Sequence, residues 1–299
     1  MALFSFWVRI IAASLGALLL SMVLSGCSFL KLGYTQLPEV SIWWLDNYLN
    51  FTDSQSAQAK TALKKLLAWH RKEELPAVAD LLAQAQSLAS DNISSEQACR
   101  LWDIAQQRIE ALLNESARAA APVAAQLSPR QLKHIQRQWD SKNQDWQKDW
   151  LLAPPEDRKK KRLDSAVDRY SSFYGDFSPA QIKLIEQQQA QSPWSPQWAW
   201  QQRLQRQQEQ MVLMQSWIAD GAKPALSVPE VEKSLKAFLQ LSARPSQASE
   251  LTKQLQIEQH VCQNLAQLHN STSPAQRLKA QRKLKSYESD LRDLVKQVD

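Results

Sequence analysis

Glycine is nearly missing from this chain. Of 299 residues only five are glycine, and two of these, Gly16 and Gly26, fall in an apolar N-terminal stretch. Gly33, Gly175 and Gly221 serve the rest of the chain. Hairpins and barrels draw on glycine for turns that need positive φ, so the scarcity argues against a β-rich fold. Catalytic and metal signatures are missing as well. No Cys-x-x-Cys, P-loop, Gly-rich phosphate fingerprint or Gly-x-Ser-x-Gly occurs. The four histidines, His70, His134, His260 and His269, form no His-x-x-x-His, and Cys262 stands two residues from His260, on another helix face. Nothing in the sequence asks for a metal ion or a cofactor.

A long hydrophobic run is also missing. The apolar stretch 10–24 covers fifteen residues and is interrupted by Ser14, Gly16 and Ser21, whereas a bilayer span needs about twenty. Arg9 precedes it and the small residues Ser25 and Gly26 come after it. That order is the pattern of a secretory signal peptide over 1–26. The competing reading is an uncleaved anchor helix that ends in a cysteine by chance. Leu24-Ser25-Gly26-Cys27 resembles the bacterial lipobox. The resemblance implies cleavage before Cys27, a diacylglyceryl thioether on its sulfur and attachment to the membrane through that lipid. In the lipoproteins it resembles, Asp after the cysteine retains the protein at the inner membrane; Ser28 stands there instead. The implied address is the inner leaflet of the outer membrane, facing the periplasm. Residues 27–36 are then the lipidated cysteine and a tether, and 37–299 a single α-helical domain.

Arg9 is the only charged residue before Cys27, so the chain from Cys27 onward carries 35 basic against 30 acidic side chains. That excess is mild. An exported protein does not normally meet nucleic acid, so partners chosen by charge would be envelope phosphates or acidic proteins. Hydrophobic content of 44% with 22% charged residues describes a folded body rather than a disordered one.

What is abundant is helix-forming: Gln, Ala, Leu, Lys and Arg. One start signal recurs. An apolar residue, a hydroxyl residue and, three further on, Gln or Glu appear as Phe51-Thr52…Gln55, Ile93-Ser94…Gln97, Leu127-Ser128…Gln131 and Phe177-Ser178…Gln181. The pattern returns at Leu226-Ser227…Glu230 and, more weakly, at Thr272-Ser273…Gln276. The hydroxyl accepts a bond from an orphan N–H, the Gln or Glu reaches back, and proline fits the first turn. Six helix starts are expected there. Spacings of 42, 34, 50 and 95 residues between the Gln copies are too irregular for a solenoid.

Apolar residues recur at helical spacing between the starts. One stripe is Leu132, Ile135, Trp139, Trp146, Trp150; a second is Cys99, Trp102, Ile109, Leu112, Leu113. Near the end come Leu251, Leu255, Val261, Leu265, Leu268, and then Leu284, Leu291, Leu294, Val298. Breaks are expected at Pro76, Pro122, Pro154-Pro155, Gly175, Pro193, residues 221–224 and Arg244-Pro245. The expectation is an all-α antiparallel bundle of about nine or ten helices with short loops.

Leu127-Ser128-Pro129-Arg130-Gln131 and Phe177-Ser178-Pro179-Ala180-Gln181 resemble the Leu-Thr-x-x-Gln motif of small periplasmic chaperones of the Spy and CpxP type, which are helical and protect envelope proteins from aggregation. Those chaperones are about half this length. The lipobox, Trp69-His70-Arg71, Leu75-Pro76 and the Trp-rich helices together resemble an uncharacterised family of proteobacterial lipoproteins of this length. That resemblance implies a helical lipoprotein and no known reaction.

Three clusters are candidates for chemistry. His70, Arg71 and Glu74 lie on an apolar helix, with Glu74 four residues after His70 and within side-chain reach. The pair suits acid–base work or, equally in geometry, a partly buried histidine satisfied by a carboxylate. Arg158, Lys159, Lys160, Lys161 and Arg162 form a basic run that is either a solvated first turn or a dock for anionic lipid headgroups. Trp194, Trp198 and Trp200 crowd one helix start and cannot all face one core at helical spacing. Either two layers sandwich them or part is exposed to a partner, glycan or membrane surface. Cys99 and Cys262 read as a disulfide in an oxidising compartment, or as two small buried residues. The expectation for function is a non-enzymatic binding, assembly or chaperone-like module acting on envelope proteins or peptidoglycan. The alternative is an envelope enzyme built on His70 and Glu74.

Overall fold

Local capping chemistry sets where the helices begin. In the computed structural model, which describes residues 29–297 apart from 222–223 and 246, Thr52, Ser94, Ser128, Ser178, Ser227 and Ser273 are all helix N-caps. At five of them the hydroxyl accepts from the N–H three residues on, while the backbone N–H of the cap donates to the glutamine Oε1. Ser227 differs: its N–H and its hydroxyl both donate to Glu230, a pure acceptor when ionised. Ser195 is a seventh cap, accepting from the Trp198 N–H at 3.2 Å. With no Gln three residues on, it escapes the pattern.

The described residues form α1 (Phe29–Leu49), α2 (Asp53–Trp69), α3 (Leu75–Leu88), α4 (Ser95–Ala124), α5 (Pro129–Gln147), α6 (Pro155–Tyr174), α7 (Pro179–Ala190), α8 (Pro196–Trp217), α9 (Val228–Ala243), α10 (Ala248–Asn270) and α11 (Pro274–Lys296). A π-helical turn, His70–Glu74, fuses α2 to α3, and another, Lys148–Leu152, extends α5. The architecture is all-α, with no strand among the described residues. The signal segment 1–26, Cys27, Ser28 and Val298 lie outside the described residues. The segment read as a tether is helical from Phe29, because α1 runs through it and through Pro38. Contacts divide the chain between Leu37 and Pro38, and the packing of the bundle belongs to the second unit.

The longest helix, α4, is the hub, packing on α2, α3, α9 and α10. The last helix lies along α3 most extensively and also touches α6. One buried cluster joins Ala121 of α4, Leu132, Ile135 and Trp139 of α5, Met214 and Trp217 of α8 and Val231 of α9. A disulfide links Cys99 of α4 to Cys262 of α10, with Cα atoms 5.3 Å apart, inside the range a bridge requires. Gly175 ends α6 at φ +76°, where a side chain would be strained.

Two proline breaks do not occur. Pro76 sits in the first turn of α3, where no N–H is needed, and the π turn before it absorbs the ring without ending the rod. Pro122 lies inside the last turns of α4, between the buried residues Ala121 and Val123. Packing of that face outweighs one lost bond. Two stripes also rotate: Trp102 and Ile109 on α4, and Leu255 and Val261 on α10, are exposed. On α10 the interior is taken by Cys262, Asn264, Ala266, Leu268 and His269, because the Asn264 carbonyl is wanted by the buried Gln188 side chain of α7.

Candidate functional site

Glutamine has an amide N–H₂ that glutamate lacks, and the capping boxes use it. Gln55 and Gln131, each capping its own helix through Oε1, also donate to one another: Gln131 Nε2 to Gln55 Oε1 at 2.8 Å and Gln55 Nε2 to Gln131 Oε1 at 3.4 Å. Gln131 Nε2 also reaches the Leu49 and Asn50 carbonyls at 3.0 and 3.3 Å. Gln55 Nε2 donates to the Gln126 carbonyl at 3.0 Å. His134 Nε2 meets the Asn47 carbonyl at 2.9 Å. Asn50 supports the corner with a positive φ of 48°, which asparagine tolerates better than most residues. The end of α1 is thereby clasped to the start of α5.

The far end of α5 is held by aromatic rings. Trp200 stacks on Trp146 at 5.4 Å, Trp146 meets Trp150 at 6.4 Å, and Trp194 meets Trp150 edge-on at 5.8 Å. The orphan carbonyls of Trp150 and Leu151 in the π turn accept from Arg158. Lys161 lies over Trp150 and Arg162 over Trp194, each 5.0 Å from the ring centroid. Trp194 and Trp200 are therefore layered against the rings at the end of α5, and all three tryptophans at the start of α8 are half-buried. Trp146 and Trp150 are half-buried with them, while Trp139 belongs to the core.

Between these fixed ends α1, α5 and α8 enclose an open groove of about 730 Å³. That volume suits a small-molecule or oligomer segment. Trp44 and Tyr48, with rings 4.7 Å apart, form one wall. Trp194 and Trp198 form the other, and Ile135, Trp139 and Met214 lie in the lining. Trp44 keeps 53% of its surface exposed. Gln202, Arg203, Arg206, Gln207 and Gln210 of α8 supply the polar groups. Asn143 of α5 orients two of them, accepting from Arg203 Nε at 2.6 Å and pairing with the Gln207 amide. Gln202 donates to Glu250. Arg206 is exposed, and neither it nor Gln210 has a partner among the described residues. Among the described residues no carboxylate appears in the lining. Sequence reasoning reached Trp194 and Trp198 but missed Trp44, Tyr48 and the α8 arginines. The neighbouring pair Trp43-Trp44 and the Gln-Arg-rich face of α8 were the available signals.

The other candidates are placed differently. His70, Arg71 and Glu74 all fall in the π turn. Glu74 is 5% exposed and lies 3.8 Å from Arg108 of α4. Arg71 reaches the Gln297 carbonyl at 3.5 Å, and burial lowers the His70 pKa. In the basic run every member has an intramolecular partner: Lys159 with Glu186, Lys160 with Asp164, Lys161 with Asp149, Arg162 with Gln189 and Arg158 with the π-turn carbonyls. No group of three or more metal-ligating side chains forms among the described residues. Among those residues no helix is long and apolar enough to cross a membrane.

Residues 47–228 match the family described as "Family of unknown function (DUF6279)". The match covers more than half of the chain, which therefore belongs to that family. It runs from the end of α1 to the start of α9 and takes in the groove except Trp44 and Leu45. No curated protein and no solved structure matches the chain.

Proposed function

We propose that this family member is a lipid-anchored envelope lipoprotein that works without catalysis, as a helical binding, assembly or chaperone-like module contacting its partner through the α1/α5/α8 groove. The observation that carries this reading is the groove: aromatic walls and, among the described residues, an Arg206 with no intramolecular partner and no carboxylate in the lining. Binding sites combine apolar walls with a few convergent polar groups in this way. The address rests on Leu24-Ser25-Gly26-Cys27 and Ser28. A disulfide between α4 and α10 suits an oxidising compartment.

Two measurements test it. In cells given radioactive palmitate, the full chain should carry label and sediment with outer membranes, and Cys27→Ser should lose both; label retained by the variant overturns the anchor. For the groove, a photo-crosslinking residue placed at Gln210 should give a discrete adduct on illumination, and one at exposed Asp103 of α4 should not. Equal or absent adducts from the two positions overturn the groove as the contact surface.

A further inference from the structure

In the α1/α5/α8 groove, aromatic rings converge with an arginine, Arg206, that has no partner among the described residues. The cleft between α2 and α4, about 530 Å³, already pairs its Arg118 with Glu115. The cleft between α8 and α9, about 710 Å³, is walled largely by Val212, Leu213, Ala237, Phe238 and Leu241 and has no cation in its lining among the described residues. The buried polar groups Tyr174 and His269 are bonded to each other and to the chain, and line none of these cavities.

We infer that the groove takes a carboxylate-bearing, N-acetylated sugar strand, the chemistry of a peptidoglycan glycan. This rests on the groove being the proposed contact surface. The argument has three parts. First, Trp44 and Tyr48 on one side and Trp198 on the other bring rings with flat apolar faces into the lining of a polar groove. Pyranose rings have apolar C–H faces and polar edges, so they pack on such faces while hydroxyls and acetamides point along the rim. Second, the polar groups there are amides and guanidinium N–H groups. Gln210 can donate to and accept from an acetamide. Arg203 keeps its terminal nitrogens, since only Nε is used by Asn143 among the described residues. Third, the charge is one-sided: among the described residues two arginines and no acid line the groove. A fork of guanidinium donors fits a carboxylate bidentately.

A peptide partner suits the groove less well. The walls are helices whose backbone groups are already paired, so no strand can be added. A docked amphipathic helix would want a continuous apolar trough, and α8 instead presents Arg203, Arg206, Gln207 and Gln210 along one face.

The test uses the full-length chain in detergent, co-sedimented with purified peptidoglycan sacculi. Tryptophan fluorescence then monitors titration with soluble N-acetylmuramyl-containing fragments and with a neutral N-acetylglucosamine oligomer of equal length. The chain should sediment with sacculi and bind the carboxylate-bearing fragments about tenfold more tightly than the neutral oligomer. Arg206→Glu and Trp44→Ala should each weaken binding at least tenfold with circular dichroism unchanged, since both side chains are exposed. Equal binding by the parent and both variants overturns the inference, as does equal affinity for the neutral oligomer. No sacculus binding alongside a protein adduct from Gln210 overturns the glycan while the groove reading stands. No binding and no adduct overturns both.

Discussion

The two ends of the bundle use the same device and finish differently. Near Asn50, the Gln55–Gln131 clasp fixes α1 against α5 and leaves an aromatic groove open beside it. At the other end, Gln181 and Gln276 form the same reciprocal pair, at 3.0 and 3.1 Å, and also reach the Ser271 and Asp176 carbonyls. Here the polar groups close completely. Asn270 pairs with both backbone groups of Ile93 at 2.9 Å. His269, 1% exposed, bridges the Tyr174 hydroxyl and the Asp91 carbonyl. Arg277 ties down Ser90 and Asn92. Cys99 and Cys262, a few turns in, make that end covalent. The difference teaches that the clasp is scaffolding at both ends, and that the open end is where side chains remain uncommitted.

The largest effect should come from cutting the covalent link. Cys99→Ser with Cys262→Ser releases a 163-residue separation and should lower unfolding free energy by about 5 kcal/mol in the chain-entropy account. Urea unfolding monitored by circular dichroism measures it. Hydrogen exchange should rise first in α10 and the start of α4, while the groove tryptophans keep their emission. A loss below about 1 kcal/mol, or equal loosening of both ends, would erase the contrast.

Next comes the clasp beside the groove. Gln131 is 4% exposed and serves its own cap, Gln55 and two carbonyls. Gln131→Ala strands those buried groups and should cost about 2–3 kcal/mol. It should also red-shift tryptophan emission as α1 loosens. Gln181→Ala should cost a similar amount with emission unchanged. If the two variants have the same spectrum, the clasp does not shape the groove.

How much of this was legible in the sequence is a matter of range. All six Ser/Thr starts are local, an i to i+3 exchange, and each was readable from five residues. The fold class came from them and from the glycine shortage. The second use of the glutamine amides was hidden, because Gln55 meets Gln131 only after the helices pack. The groove was hidden for the same reason: its walls come from residues 44–49, 135–139 and 194–214, which no periodicity links. Pro76 misled because it falls in the first turn after a π turn, where its missing N–H is not needed, and Pro122 because the buried residues around it outweigh the one bond it loses. Leu255 and Val261 misled because polar groups on α7 claimed the buried face of α10.

A smaller effect tests the sealed end by pH. Burial, the leading cause, pushes the Tyr174 pKa up to about 12, above the ordinary value near 10. The folded state therefore holds this proton longer than the unfolded state. Its contribution is complete below pH 10 and is lost as pH climbs toward 12. Tyr174→Phe should abolish that alkaline limb and, by leaving His269 short of a partner, cost about 1–2 kcal/mol at neutral pH. His269 works in the opposite direction. Burial lowers its pKa, so stability is present above the ordinary value near 6.5 and falls as pH drops below it. Chemical denaturation at pH 5, 7 and 11 separates the two limbs, and a flat profile in the parent refutes both.

The smallest effects separate two neighbours in the basic run, next to the open end. Arg162 is half-buried, donates to the Gln189 carbonyl and side chain at 3.1 and 3.2 Å, and covers Trp194. Lys160 is exposed and pairs with Asp164 on its own helix. Removing Arg162 strips packing from the ring that begins the groove wall, because an arginine stem covers apolar surface as well as carrying charge. Arg162→Ala should cost about 1 kcal/mol and shift Trp194 emission to the red. Lys160→Ala should leave the urea midpoint unchanged within error at both low and high salt, since exposed i,i+4 pairs are screened and offset by side-chain entropy. Equal midpoint shifts for the two variants would mean that the run acts as a block of charge. In that case the ring contacts of Lys161 and Arg162 would not be what holds the wall of the open end.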